Sequence, residues 1–344
     1  MKTFTIASNQ GEMGGGEVML LHLAEAARSL GHDVTVVGPQ SPGDLCDRAA
    51  EAGFDVVRIP GRSVREYLWN LRRWDRGHRR GLLWCNGLRP AFATSGRGDR
   101  VVHLHQVPLG KLATLAPIAR RGALRTVVPS HSMQRQIDGS TVLWNWSAEA
   151  TPRPRRAARA QVEVGFIGRL SRDKGVLVLL EAMRILEQRS PGRYRLLLAG
   201  ETRFVAEDEA ELIESAIADL GSVVDRPGWM ERADFFAVVD LAVFPSVWSE
   251  AFGLVATEAM AARCPLVVSD AGALPEVVGS DHPWIVPHGD PVALADTIER
   301  AASTPQDDVV ERSYHRWSQE FSPDAGRAAL AALLDDLDRE GGGR

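Results

Sequence analysis

Short apolar runs rich in β-branched residues alternate with amphipathic helical patterns along the whole chain, and they do so in two successive sets. In the first half the candidate strands are Thr3–Ser8, Asp33–Val37, Asp55–Ile59, Gly81–Cys85, Val101–His105, Thr126–Val128 and Thr141–Trp144. In the second they are Val162–Ile167, Arg195–Ala199, Ser222–Val224, Leu241–Phe244, Pro265–Val268 and Trp284–Val286. Continuous apolar strands separated by helices suit parallel sheets covered on both faces. The expected fold class is α/β, with two Rossmann-like doubly wound parallel-sheet domains facing across a cleft. Open sheets of this kind bind ligands beyond the carboxyl ends of their strands, so function is sought at strand ends.

The stretch 148–160 is rich in proline and arginine and has no apolar periodicity, which marks a linker. It divides a domain at 1–147 from one at 161–321. Residues 322–344 open with a Ser-Pro-Asp cap and carry Leu330, Leu333, Leu334 and Leu337 on one helical face, so a terminal helix packing back on the first domain is expected. The two halves differ in charge: residues 1–150 hold 19 Lys/Arg and 13 Asp/Glu, within a chain whose net charge is −5. Cys46, Cys85 and Cys264 form no close pair, which argues against a disulfide scaffold or a zinc ribbon. A reducing cytoplasm fits. The apolar run at Met1–Ala7 stops at Ser8 and is too short for a signal peptide or a membrane span.

Three loops carry chemistry. The first, Asn9–Glu17, follows a strand and is rich in glycine, which permits close backbone approach to a ligand. It lacks the G-x-G-x-x-G spacing, and the second strand ends Val37-Gly38-Pro39-Gln40 with no acidic residue for an adenosine ribose, so nicotinamide cofactor binding is disfavoured. The second, Gly165–Gly175, presents Arg169 as a guanidinium fork and Lys174 as a mobile ammonium at one strand end, a combination suited to a diphosphate. It is not a Walker loop, because no Gly-Lys-Ser/Thr closes it. The third follows the strand ending at Pro245. Glu250 lies in the loop, Gly253–Ala262 reads as a helix, and Glu258 falls near its second turn. Backbone N–H groups at such a helix mouth attract phosphate oxygens, while the two carboxylates can accept hydrogen bonds from hydroxyls on different sugars.

Together, Gly14-Gly15-Gly16-Glu17, Gly168-Arg169-Leu170 with Lys174-Gly175, and Glu250 and Glu258 after Pro245-Ser246 resemble the retaining nucleotide-sugar glycosyltransferases of family 4, which have the GT-B fold. Val128-Pro129-Ser130, Leu198-Ala199-Gly200 and Ser269–Glu276 add lesser matches. The compact length also resembles actinobacterial members that decorate oligosaccharide antibiotics such as avilamycin. The resemblance implies transfer of a hexosyl or pentosyl group from a nucleoside-diphosphate sugar to a small-molecule, oligosaccharide or lipid-linked acceptor, in natural-product or cell-surface glycoside biosynthesis. It implies that Arg169 and Lys174 bind the donor diphosphate, that Glu258 holds the ribose and that Glu250 meets donor-sugar hydroxyls. The N–H groups of Phe252, Gly253, Leu254 and Val255 would assist, and Gly15 and Gly16 would approach the donor. His105 matches the family's active-site histidine. Gly200 and Trp229 are candidates to flank the base. Rival readings are a GT-B sugar-nucleotide epimerase and a non-catalytic nucleotide-sugar-binding protein.

No metal and no cofactor is expected, since Arg169 and Lys174 supply the counter-charge and no D-x-D loop occurs at a strand end; Asp336-Leu337-Asp338 lies in the terminal helix. The family's Pro-Asn-Gly-Val turn before the linker is replaced by Leu143-Trp144-Asn145-Trp146-Ser147. Arg58, Arg62, Arg65, Arg72, Arg73, Arg76, Arg79 and Arg80 form a basic cluster beside a helical face expected to comprise Val64, Leu68, Leu71 and Trp74. That cluster suits an anionic acceptor, peripheral contact with acidic lipid at the inner membrane face, or a solvated surface. Nucleic-acid binding is not expected, because the net charge is negative and no recognition motif accompanies the cluster.

Overall fold

A computed structural model describes residues 2–152, 161–202 and 205–341. The linker reading at 148–160 falls largely on 153–160, outside the described residues. Contacts divide the chain into two compact units, Met1–Trp146 with Pro323–Arg344, and Ser147–Ser322.

Among the described residues the first unit contains a seven-stranded, all-parallel sheet. Its strands are β1 (Thr3–Ser8), β2 (Asp33–Pro39), β3 (Asp55–Ile59), β4 (Leu82–Asn86), β5 (Arg100–His103), β6 (Arg125–Val128) and β7 (Thr141–Val142), in the spatial order β3-β2-β1-β4-β5-β6-β7. The order reverses direction at β1: the chain first winds outward to β3, then returns to β4 on the other side. Right-handed crossovers therefore place helices on both sheet faces. Register is fixed by apolar partners such as Phe4 opposite Val34 and Ile6 opposite Trp84. The terminal helix Pro323–Gly341 packs on the helix Gly15–Ser29 and buries Leu330, Leu333, Leu334 and Leu337 in the core with Leu20, Leu23 and Trp146.

The second unit contains a six-stranded parallel sheet formed by β8 (Val162–Ile167), β9 (Tyr194–Ala199), β10 (Val224–Gly228), β11 (Leu241–Phe244), β12 (Leu266–Ser269) and β13 (Ile285–Val286). Its order, β10-β9-β8-β11-β12-β13, switches direction at β8, so the ends of β8 and β11 form the topological switch point.

Several boundaries differ from the sequence reading. The strand expected over Val101–His105 stops at His103, because after Leu104 donates to Val127 the chain leaves the ladder; His105 lies in the loop beyond. The strand expected at Ser222–Val224 is β10, which begins at Val224 after a single 3-10 turn over Gly221–Val223. The edge strand expected over Thr141–Trp144 is shorter: Thr141 and Val142 pair with β6, and a last bond runs from the Leu143 amide to the Val128 carbonyl. Gly15 and Gly16 belong to the first turn of a helix rather than to an open loop, with Gly14 extended as its N-cap.

The helix Val64–Gly77 buries Tyr67, Leu71 and Asp75; of the expected face Leu71 is buried, Leu68 and Trp74 are half-buried, and Val64 is 51% exposed. The face is turned by Asp75. This fully buried carboxylate accepts from Arg79 Nε at 2.6 Å and lies 3.4 Å from Arg97, so burying it is compensated where Trp74 would have been only apolar.

Two helical glycines give opposite expectations. A Cβ on Gly326 would meet the Trp146 indole at 2.2 Å, whereas one on Gly77 meets nothing within 4 Å. Alanine is the better helix former by about 1 kcal/mol, but overpacking costs about 1–3 kcal/mol. Chemical denaturation should therefore show Gly326→Ala destabilised and Gly77→Ala unchanged or more stable. Equal gains in both variants would refute the packing of the terminal helix against Trp146.

Candidate functional site

In the second unit the loops after β8, β9, β11 and β12 touch one another through backbone. Gly175 has φ +73° and a Cβ there would fall 1.8 Å from the Pro245 carbonyl oxygen; a Cβ on Gly200 would fall 1.8 Å from that of Gly168. The amides of Val247 and Trp248 donate to the Asp173 carbonyl at 3.0 and 3.2 Å. The basic loop and the acidic loop are thus joined before any side chain is considered.

That junction sets Lys174 Nζ 2.5 Å from Glu250 Oε1. Ser246 Oγ donates to the same oxygen at 2.6 Å, while the Ser246 carbonyl accepts from Ser269 Oγ at 2.6 Å. The Glu250 backbone is held as well: its carbonyl accepts from Ala273, and Gly272 approaches so closely that a Cβ would lie 2.3 Å from the Glu250 amide. Glu250 Oε1 is committed to Lys174 and Ser246, which leaves Oε2 to accept from a ligand.

Glu258 lies in the helix Leu254–Ala261, whose N-cap is Gly253 in the left-handed conformation. Burial pushes its carboxyl above the ordinary carboxylate range, and Arg232, with Nε 2.7 Å from Oε2, offsets only part of that rise. The backbone N–H groups of Leu254 and Val255 fall in the first helical turn, where no intrahelical acceptor exists. Phe252 is buried, with its ring 5.6 Å from that of Phe321. Arg169 does not reach an acidic-loop carboxylate; it pairs with Asp173 at 2.9 Å, exposed on the same loop. Trp229 follows β10 and is 65% exposed, and Gly200, after β9, donates to the Gly228 carbonyl at 2.8 Å.

In the first unit, His105 sits beside the glycine-rich turn, and a Cβ on Gly16 would stand 3.6 Å from its ring. Asn86, at the end of β4, connects the two. Its Nδ2 donates to the Gly16 carbonyl at 3.1 Å, which turns Oδ1 toward His105 Nε2 at 2.6 Å. His105 Nε2 must then carry the proton, and Nδ1 presents its lone pair. Burial lowers the His105 pKa to about 4, so the ring is neutral at ordinary pH. His103 is a core residue: it is buried, accepts from Trp84 Nε1 at 3.3 Å, and its ring centre lies 4.1 Å from that of His105, tilted by 45°. Glu17 is a buried carboxylate at the first turn of its helix and accepts from Ser8 Oγ at 3.1 Å.

Sequence reading missed Asn86, Ser246 and Arg232 as members of these networks. Arg232 had a signal, since it follows the strand end that carries Trp229. Asn86 acts only through neighbours distant in sequence, and Ser246 lies four positions before Glu250 without a signal that it would hold that carboxylate.

Two family models match this chain: Glycosyltransferase Family 4 over residues 13–172 and Glycosyl transferases group 1 over residues 161–304. A D-inositol 3-phosphate glycosyltransferase of Saccharomonospora viridis is 31% identical over 254 residues, covering 69% of this chain and 54% of that protein. The enzyme of the same description from Streptomyces coelicolor is 32% identical over 197 residues, covering 52% and 42%. The chain spans about half the length of the curated relatives it matches. Among solved structures, Anabaena HepE in complex with UDP and glucose superposes with a TM-score of 0.84 at 19% identity, over 97% of this chain and 100% of that one. Sucrose-phosphate synthase from Thermosynechococcus elongatus gives a TM-score of 0.80 at 20% identity, over 99% and 100%. Residues 13–172 and 161–304 thus match models of glycosyltransferases, and the fold is GT-B.

Two measurements follow from the charge states. Between about pH 6.5 and pH 4 the unfolded chain binds a proton that neutral His105 refuses, so His105 favours folding above that window and this contribution is lost as pH falls through it. Asn86→Asp replaces the amide oxygen with a charge and should raise the His105 pKa in an NMR titration; an unmoved value would show that Asn86 does not govern the ring. Glu258 has the opposite sign. Its folded pKa is raised, so its contribution to stability is complete below the unfolded carboxylate pKa and is lost as pH rises through the folded one. Glu258→Gln should therefore melt no lower than the parent at neutral pH, and a large drop would mean that the Arg232 pair outweighs burial.

Proposed function

We propose that the chain is a retaining, metal-independent glycosyltransferase that moves a sugar from a nucleoside-diphosphate sugar to an acceptor hydroxyl, in the cytoplasm, in natural-product or cell-surface glycoside biosynthesis. The observation that carries this reading is the Lys174–Glu250 pair at the switch point of the second sheet, with the helix mouth of Leu254 and Val255 following it. A cation, a carboxylate with one uncommitted oxygen and unpaired backbone donors offer a partner to each portion of an activated sugar. The group 1 match, over residues 161–304, covers these loops, and the Family 4 match, over residues 13–172, covers the glycine-rich turn and His105. Three buried free cysteines fit a reducing compartment.

In this reading Lys174 and Arg169 screen the diphosphate as it becomes the leaving group. The amides of Phe252, Gly253, Leu254 and Val255 add donors to the sugar and phosphate. Glu258, which gains from any hydrogen-bond donor because burial disfavours its charge, accepts from the ribose hydroxyls. Gly200 and Trp229 flank the base. Glu250 Oε2 accepts from the donor sugar, and Oε1 stays with Lys174 and Ser246, which suits an orienting carboxylate better than a nucleophile. Gly15, Gly16 and the bare Nδ1 of His105 serve the transferred sugar and the acceptor.

Substitution then proceeds on the front face. The bond from the anomeric carbon to the phosphate oxygen breaks, the acceptor oxygen bonds to that carbon from the same side, and the acceptor proton passes to the departing phosphate.

Donor consumption measured with and without acceptors tests the reading. Isomerised donor without acceptor would make the chain an epimerase, and tight donor binding without turnover would make it a binding protein. Lys174→Met should lower kcat/KM by roughly 100- to 1000-fold, the scale of losing one preorganised charge-stabilising group. Glu250→Gln should slow turnover without trapping a covalent adduct, and a glycosyl-enzyme found by mass spectrometry would overturn front-face substitution. NMR of the product should show the donor's anomeric configuration, and a chelator should leave the rate unchanged.

A further inference from the structure

The helix Val64–Gly77 turns one stripe to solvent. Arg65, Trp69, Arg73 and Arg76 recur at intervals of three and four, so they share one face, opposite the buried stripe of Tyr67, Leu71 and Asp75. Arg62 and Arg80 flank this helix, and all six side chains are exposed. The rest of the basic cluster is committed elsewhere. Arg58 pairs with Asp47 at 2.7 Å, Arg72 donates to the Ala93 carbonyl at 2.7 Å, and Arg79 pairs with buried Asp75. Among the described residues no guanidinium of Arg62, Arg65, Arg73, Arg76 or Arg80 has a carboxylate partner, although the Glu66 carboxylate accepts from the Arg62 backbone amide. These five guanidinium groups lie on or beside the helix that carries Trp69, and Arg73 stands 5.7 Å from its ring.

Charge alone would suit any polyanion, but the apolar exposure narrows the choice. Every exposed large apolar side chain described in the first unit lies between residues 64 and 118: Val64, Trp69, Leu109, Leu112 and Ile118. The last three border or belong to a 3-10 turn, Gly110–Leu115, in which no residue is buried, and to the helix Ala116–Arg120 that follows it. The helix Val64–Gly77 packs on Leu88–Ala93, which packs in turn on Ala116–Arg120, so all three belong to one helical layer on one sheet face. Aromatic and aliphatic side chains among arginines suit the boundary between headgroups and acyl chains, where the cation stays hydrated and the ring is buried. A polysaccharide or nucleic acid in water would leave Val64, Leu109 and Leu112 uncovered.

We infer that this layer is a docking surface for a bilayer containing anionic phospholipid, with the Arg65–Trp69–Arg73–Arg76 stripe in contact with the headgroups. The attachment is peripheral: no described helix is long and apolar enough to cross a membrane. It goes beyond glycosyl transfer and stands or falls without it, because binding to lipid is read without any substrate.

Sedimentation of the full chain with phosphatidylcholine vesicles, with and without phosphatidylglycerol, tests the inference. Binding is expected only with phosphatidylglycerol and should weaken as salt rises. Replacing Arg65, Arg73 and Arg76 together by Gln should reduce partitioning by roughly a hundredfold, at about fivefold per lost charge near the surface. Trp69→Ala should weaken binding at unchanged charge, and circular dichroism should show that both variants remain folded. If the parent fails to bind phosphatidylglycerol vesicles at low salt, or the triple variant binds as well as the parent, the inference is overturned. Retention on heparin with indifference to vesicles would also overturn it and assign the stripe to a soluble polyanion.

Discussion

Backbone meets backbone at the carboxyl end of the second sheet, and the side-chain chemistry there depends on that contact. Gly175 can abut the Pro245 carbonyl and Gly200 that of Gly168 only because neither carries a Cβ, and Gly272 lies as close against Glu250. At Gly175 and Gly200 the obstacle is carbonyl oxygen, which cannot swing aside as a flexible side chain does. Any larger residue at Gly175 would push the basic loop off the strand that carries the acidic one. Lys174 is the next residue along, so its meeting with Glu250 follows from the glycine. The approach then costs little strain, since Gly175 adopts its positive φ freely.

The two glutamates of the acidic loop illustrate how one segment can hold the same functional group in two states of demand. Glu250 has a cation and a hydroxyl on one oxygen and keeps the other uncommitted. Glu258 lies one helical turn deeper, where burial works against its charge and one guanidinium compensates incompletely. A ligand that donates hydrogen bonds is favoured at Glu258 by the desolvation already incurred in folding; at Glu250 it is favoured by orientation. His105 follows a similar logic in the first unit. It is neutral through burial, and Asn86 fixes which nitrogen bears the proton.

Much of the fold was legible because its signals are local. Continuous apolar β-branched runs, helix caps and terminal leucine spacing each act over a few residues, and β1, β3, β8 and β11 have the limits read from sequence. Errors arose where tertiary partners decide. His105 falls beyond its strand because the ladder ends at His103. Val64 is exposed because buried Asp75, matched by Arg79 and Arg97, fixes the phase of its helix. In the candidate site, Lys174 and Glu250 could be named as strand-end residues, but not as a pair 2.5 Å apart, since 76 positions separate them. Asn86 carries no motif of its own, and the bonds of Ser246 to Glu250 and of Arg232 to Glu258 are set by the folded loops.

Arginine in this chain is sorted by the partner it finds, and the sorting explains why a count of charges misleads. Arg100 is wholly buried yet pairs with no carboxylate among the described residues; its guanidinium donates to the carbonyls of Ala91, Arg97, Ala119 and Arg121 and to the Thr94 hydroxyl. Five N–H donors in a fixed plane meet five oxygens, which ties the helix Leu88–Ala93 to Ala116–Arg120. Arg72 and Arg79 fasten the same layer, the latter through carbonyls of Gly81, Gly98 and Asp99 as well as Asp75. Because these inner arginines are matched mainly by backbone dipoles, few carboxylates are drawn into the layer. The outer arginines Arg65, Arg73 and Arg76 find no carboxylate among the described residues, and the inner ones tie the helices that present them to the rest of the layer.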